Sequence, residues 1–135
     1  MRLQSLLTML LVPVVGACTH GVRPNAVPFS TTAGGANVTY WVKGDPAKRY
    51  GELFAVNDSA VYVRTERLSR IPWARLNGLD VDRLGSRFDV YSGRLPDAEQ
   101  RKRLALVSRF PQGLSGPLLA QVLAALKQDA VEDVP

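Results

Sequence analysis

The hydrophobic period of this chain changes once, near residue 93, and that change limits the folds open to it. Upstream, apolar residues recur at every second position. "NVTYWVK" at 37–43 sets Val38, Tyr40 and Val42 against Thr39, Trp41 and Lys43, the alternation of a half-buried strand. "YGELFAV" at 50–56 and "AVYVRT" at 60–65 read as two further strands, and "NDS" at 57–59 is short enough to join them as a hairpin. "GDP" at 44–46 is turn chemistry, because Pro46 fixes φ and the Asp45 side chain can bond the backbone ahead of it. "RLSRIPW" at 67–73 predicts a fourth strand, turned or placed at a sheet edge by Pro72, which has no N–H for a ladder. "RLNGLDV" and "SRFDVYS", on either side of Gly85, supply one or two more.

Downstream the period lengthens to that of a helix. In "LPDAEQRKRLALVSRF" at 95–110, Pro96 sits near a first turn and Asp97 and Glu99 lie at the positive end of the dipole. Asp97/Arg101 and Glu99/Arg103 have the favourable i,i+4 order. Leu104, Leu106, Val107 and Phe110 are expected as the buried stripe of this helix. Pro111 and Gly113 end it. Ser115 then caps a second helix, with Pro117 near its start. Leu118, Leu119, Val122, Leu123 and Leu126 share one face of it, while Gln121, Ala125 and Gln128 lie elsewhere. The tail "DAVEDVP" at 129–135 is short and acidic, and is expected to fray. Strands followed by helices predict an α+β domain. The expected architecture is a small curled or barrel-like antiparallel sheet of five or six strands followed by a C-terminal αα-hairpin.

The first residues carry a different message. "MRLQSLLTMLLVPVVGA" at 1–17 begins with a positive end at the amine and Arg2, continues through an apolar stretch from Leu3 to Val15, and closes on the small pair Gly16-Ala17. This is the layout of a secretory signal peptide. At about 13 residues, broken by Gln4, Ser5, Thr8 and Pro13, the stretch is shorter than the roughly 20 that a bilayer core requires. Cys18, the only cysteine, follows directly. "VGAC" at 15–18 resembles the lipobox of bacterial lipoproteins. The resemblance covers residues 1–18 and implies cleavage between Ala17 and Cys18, a thioether from the Cys18 sulfur to diacylglycerol, and acylation of the new amino terminus. Two or more acyl chains anchor stably where one does not. Lipidation also removes a lone thiol that an oxidising compartment would otherwise attack. Thr19, in place of the Asp that retains enteric lipoproteins in the inner membrane, implies an outer-membrane location facing the periplasm.

The expected domain organisation follows. Residues 1–17 are the signal peptide. Residues 18–36 are the lipidated cysteine and a tether rich in Gly, Pro, Ser, Thr, Ala and Asn, with Phe29 its one large apolar residue. As a coil, that tether spans on the order of 20–25 Å. Residues 37–128 form one α+β domain and 129–135 an acidic tail. At 46% apolar residues, the composition is that of a globular chain.

No reaction is legible in this chain, and we expect no enzyme. Its single histidine, His20, lies in the tether with no packing to hold it as a base. With Cys18 acylated no thiol nucleophile remains, so Ser/His/Asp and Cys/His arrangements are excluded. Imidazole and thiolate ligands for zinc are missing too, and no cofactor or metal is expected. "GLSGP" at 113–117 departs from the nucleophile elbow G-x-S-x-G by an early second glycine and the lack of a preceding strand, and Ser115 serves better as a helix cap. "LDVDR" at 79–83 places Asp80 and Asp82 on one strand face, among Arg75, Arg83 and Arg87, where a solvated strand is the expected reading.

The net charge of +5 at pH 7 is modest and implies no nucleic-acid partner. The basic residues are uneven, however. Arg94, Arg101, Lys102, Arg103 and Arg109 are candidate anion-binding residues, on or beside the first helix. The same residues also read as a solvated helix side, paired with its own acids or with the acidic tail. Two functional classes therefore stand. One is a membrane-anchored envelope lipoprotein with a non-catalytic interaction or assembly domain and an envelope protein partner. The other is a binding module for an anionic envelope component, a lipid headgroup or cell-wall polysaccharide.

Overall fold

A computed structural model of the chain describes residues 34–82, 90–91 and 94–135. The lipobox, Cys18, His20 and the tether up to residue 33 lie outside the described residues, as do residues 83–89. The strands come in the order β1 (Asn37–Val42), β2 (Arg49–Val56), β3 (Ala60–Arg64), β4 (Leu68–Pro72), β5 (Leu76–Val81) and β6 (Val90–Tyr91). Helices α1 (Ala98–Val107) and α2 (Gly116–Ala125) follow, then a short strand β7 (Glu132–Asp133). This is the α+β class the two periods predict. The sheet order is β6-β5-β1-β2-β3-β4-β7, with the first strand in the interior and the sheet left open.

Local chemistry explains the joints. In the β2–β3 hairpin, the Asn57 Oδ1 accepts from the Ser59 and Ala60 amides at 2.9 and 2.8 Å, an Asx turn that reverses the chain. Pro72 ends β4 and leads into a single 3-10 turn, Trp73–Arg75, from which β5 leaves. Irregularities at Trp41/Val42 and Leu53/Ala55 shift the register on either side of β1 and β2. Such bulges increase local twist and let a short sheet curl.

The curl gathers one large core. Val38, Tyr40 and Val42 of β1 meet Leu53, Val61, Val63, Ile71, Trp73, Leu76, Leu79, Val81 and Val90 on one face, with Leu104 of α1 packed among them. A second cluster lies elsewhere, where Phe54 and Leu68 meet Val122 of α2, flanked by Tyr62, Phe110, Leu114, Leu118, Leu119 and Leu126. Adjacent residues Leu53 and Phe54 enter different clusters, as successive strand residues must. The two helices therefore pack in separate clusters, α1 in the first and α2 in the second.

Three expectations need correction. Leu106 is 67% exposed and is not part of the α1 stripe. It lies two residues from Leu104, about 200° around the helix, so the two cannot share a face. Asp97 does not pair with Arg101. It is the N-cap of α1: its Oδ1 accepts from the Gln100 backbone amide at 2.7 Å, and its own backbone amide donates to the Gln100 Oε1 at 3.1 Å. The Glu99–Arg103 pair forms as expected, at 2.8 Å.

The third correction is the tail, which is not frayed. β7 pairs with β4 in parallel, Ser69 opposite Glu132 and Arg70 opposite Asp133. It arrives there because α2 ends in a Schellman motif: Lys127 takes a left-handed φ of 52°, and the Lys127 and Gln128 amides donate to Ala124 and Leu123. That turn swings Gln128 inward, where it is only 5% exposed. Its Oε1 accepts from the Leu68 amide and its Nε2 donates to the Leu68 carbonyl, both at 2.9 Å. The side chain thus replaces a neighbouring strand for one residue of β4. Gln128→Leu should strand both Leu68 groups and lower stability by about 2–6 kcal/mol in urea denaturation, at roughly 1–3 kcal/mol per buried unsatisfied group. Gln121→Leu on the exposed side of α2 should change it by less than about 0.5 kcal/mol. Equal midpoints for the two variants would show that Gln128 does not hold the β4 edge.

Candidate functional site

The five candidate anion-binding residues do not form one surface. Arg109 is buried, with only 6% of its side chain exposed, and its Nε lies 2.6 Å from the Glu52 Oε1. The guanidinium also sits 5.8 Å from the centre of the Phe54 ring. Arg101 is partly buried: its Nη1 donates to the Pro96 carbonyl at 2.6 Å, and its Nε lies 3.3 Å from the exposed Asp58 carboxylate. Arg103 is held by Glu99. Lys102 and Arg94 are exposed and form no ion pair among the described residues. Of the five, Arg103 pairs with an acid of its own helix, Arg101 and Arg109 face Asp58 of the β2–β3 hairpin and Glu52 of β2, and among the described residues none pairs with the acidic tail.

Arg109 belongs instead to a clamp that no local sequence signal announces. Glu52, on β2, is the acceptor at its centre. Its Oε1 takes the Gly35 amide at 2.7 Å and Arg109 at 2.6 Å, and its Oε2 takes the Arg64 Nε at 3.1 Å. The backbone reinforces the same corner. Ala36 N–H donates to the Val107 carbonyl, Leu53 N–H to Ala36, and Arg109 N–H to Leu53. Gly35 is required there, because a Cβ at that position would lie 1.9 Å from the Leu53 carbonyl oxygen. Residues 34–36, just ahead of β1, are therefore fastened to β2 and to the end of α1.

The second concentration of charge lies at the far end of β1, in a cleft of about 360 Å³. Val42, Lys43, Gly44, Asp45, Arg49 and Arg75 line one side, and residues 132–135 the other. Basic and acidic side chains balance along it. Arg49 pairs with Asp45 at 2.7 Å, Arg67 with Glu132 at 3.2 Å and Arg70 with Asp133 at 3.2 Å. Arg75 donates to the Pro135 carbonyl oxygen. The Ala47 amide and the Arg49 guanidinium hold the Asp45 carboxyl below its usual range. Burial pushes the Tyr40 phenol up, against the opposing pull of Arg49. The cleft is thus lined by two arginines, Arg49 and Arg75, with Arg67 and Arg70 holding the two acids of its far wall, and Val134 of that wall packs against the main core.

Other sequence candidates are placed plainly. Ser115 caps α2, accepting from the Leu118 amide at 3.4 Å, so it is a structural hydroxyl. Asp80 is half-buried on β5 opposite Thr39, and Asp82 is exposed just beyond the strand. Among the described residues no group of three or more His, Cys, Asp or Glu side chains is placed to hold a metal ion. Sequence reasoning passed over Glu52, Gly35 and Gln128, whose partners lie far along the chain. For Arg67, Arg70 and Arg75 a signal existed: an acid-free basic stretch at 67–75 and an acidic one at 129–135, the two opposite charges of one contact.

Comparison of the chain with protein-family models, curated proteins and solved structures finds no match.

The clamp makes a clear stability prediction. Arg109→Met should cost about 3–5 kcal/mol, the usual penalty for removing one partner of a buried pair. Replacing Glu52 with Gln in the same chain should recover part of that loss, since a buried carboxylate left with Arg64 alone as its ion-pair partner is then gone. Lys102→Gln should alter the melting temperature little. An Arg109→Met variant as stable as Lys102→Gln would remove the clamp from the account of the fold.

Proposed function

We propose that the chain is a membrane-anchored envelope lipoprotein whose domain is a non-catalytic interaction or assembly module, held on the outer membrane facing the periplasm. The observation that carries this reading is the placement of the only cysteine, Cys18, directly after the apolar stretch Leu3–Val15 and the small pair Gly16-Ala17. The domain's architecture supports an anchored role. The tether enters at Gly34–Ala36, the corner fastened by Glu52 and by the Ala36–Val107 backbone bond, so that a pull from the membrane is taken up by β2 and α1 together. The binding surface that such a module offers is the charged strand edge beside β4, with its ordered arginines. The anionic-component reading draws on the exposed Lys102 and Arg94 alone, since Arg109, Arg103 and Arg101 already face protein partners.

Because a thioether requires sulfur, Cys18→Ser should abolish incorporation of labelled palmitate and move the protein from the membrane to the soluble fraction or leave it as an uncut precursor. Palmitate label retained in that variant would overturn the lipoprotein reading.

A further inference from the structure

We propose that the β4 edge is a docking groove for an extended acidic segment of a partner protein, and that residues 131–135 of this chain occupy it in cis. The proposal rests on the interaction-module reading above and names the chemistry of its partner.

The groove is built, and its occupant shows what it reads. Strand addition supplies backbone bonds: the two register pairs of β7 and β4, and the Val134 amide donating to the Arg70 carbonyl at 3.0 Å. Side chains supply selectivity. Arg67 and Arg70 take two adjacent carboxylates, Glu132 and Asp133, and Arg75 takes the carbonyl of Pro135. On either side of those carboxylates, Val131 packs against the α2 cluster and Val134 against the main core. The recognised pattern is thus an apolar residue, two acids and a second apolar residue, in an extended strand parallel to β4.

The cis occupant is held so that it can leave. The Arg67–Glu132 partners are 59% and 56% exposed, and Asp133 is 70% exposed, so these ion pairs are screened and weak. The ladder is two residues long. What keeps the tail seated is its covalent attachment a few residues beyond Gln128, which sets an effective concentration on the order of millimolar. A partner segment has to outcompete that, so the tail acts as a built-in filter against weak acidic peptides.

The test uses the full chain in detergent micelles and a fluorescent synthetic peptide with the sequence of residues 129–135 as the probe. The variant Glu132→Lys/Asp133→Lys should release the tail, reduce hydrogen-exchange protection of the Val134 amide at least tenfold, and bind the probe at least tenfold more tightly than the unaltered chain. Adding Arg67→Glu/Arg70→Glu to that variant should restore the cis contact with reversed charge and abolish binding of the acidic probe. The milder Asp133→Asn should fall between the unaltered chain and the double variant, which keeps the test decisive if the double variant unfolds. A probe carrying Lys for both acids should not bind the double variant. The proposal is overturned if the released groove ignores the probe, if both probes bind alike, or if tail release produces only dimers that exchange tails. Failure of the Glu132→Lys/Asp133→Lys variant to bind the acidic probe, with palmitate labelling at Cys18 intact, would refute the groove and leave the lipoprotein reading standing.

Discussion

The domain is organised around one carboxylate. Glu52 sits in the middle of β2, is 11% exposed, and accepts three hydrogen bonds from three separate parts of the chain: Gly35 ahead of β1, β3 through Arg64, and the segment after α1 through Arg109. Charge-assisted bonds of this kind are short and directional. A buried ion pair seldom adds much net stability over an apolar replacement, but a single partner left behind is costly. The consequence is an all-or-none corner. Gly35 can lie against Leu53 only because it has no side chain, and α1 seats Leu104 in the main core while Arg109 turns inward just behind the helix. The lead-in to β1, the sheet and the end of α1 meet at the same group.

Local chemistry made much of this fold legible in the sequence. Alternation marked β1, β2 and β3, Asn57 and Ser59 marked their hairpin, and Pro72 marked the end of β4. Ser115 and Pro117 marked the start of α2. These signals are all short-range. The features that were not legible depend on contacts between distant residues. Glu52 looks like any outward residue of an alternating strand until Arg109 arrives from 57 positions away. Gln128 looks like a solvent-facing helix residue until the left-handed Lys127 turns it under β4. The α1 stripe was misread because a chain of apolar letters, Leu104, Leu106 and Val107, resembles a face when the 100° step per residue is not applied to each pair.

β4 shows how the molecule handles an exposed edge. An unpaired strand invites pairing with any other chain, and natural sheets blunt such edges with prolines, charges or cover. All three occur here. Pro72 removes the last donor, Arg67 and Arg70 place charge beside the ladder, and Gln128 and β7 cover what is left. The cover is uneven. Gln128 is buried and bonded three times, to Leu68 twice and to the Ala130 carbonyl at 2.7 Å, whereas Glu132 and Asp133 are solvated. Protection is strongest next to α2 and weakest toward Pro135.

That gradient runs away from the corner where residues 34–36 are fastened. The chain enters the domain at the Asn37 end of β1, beside the Glu52 corner, and the charged cleft opens at the Val42 end. At 3.3–3.4 Å per residue those ends are about 17 Å apart. The rigid attachment and the weakly covered edge therefore occupy opposite ends of the same interior strand. A domain gripped at Gly35 can lose its hold on residues 131–135 without disturbing either core cluster, apart from the small contributions of Val131 and Val134 at their margins. Separation of this kind is what lets a marginally stable domain keep one firm end and one exchangeable end, since local opening costs only the contacts of the segment that opens.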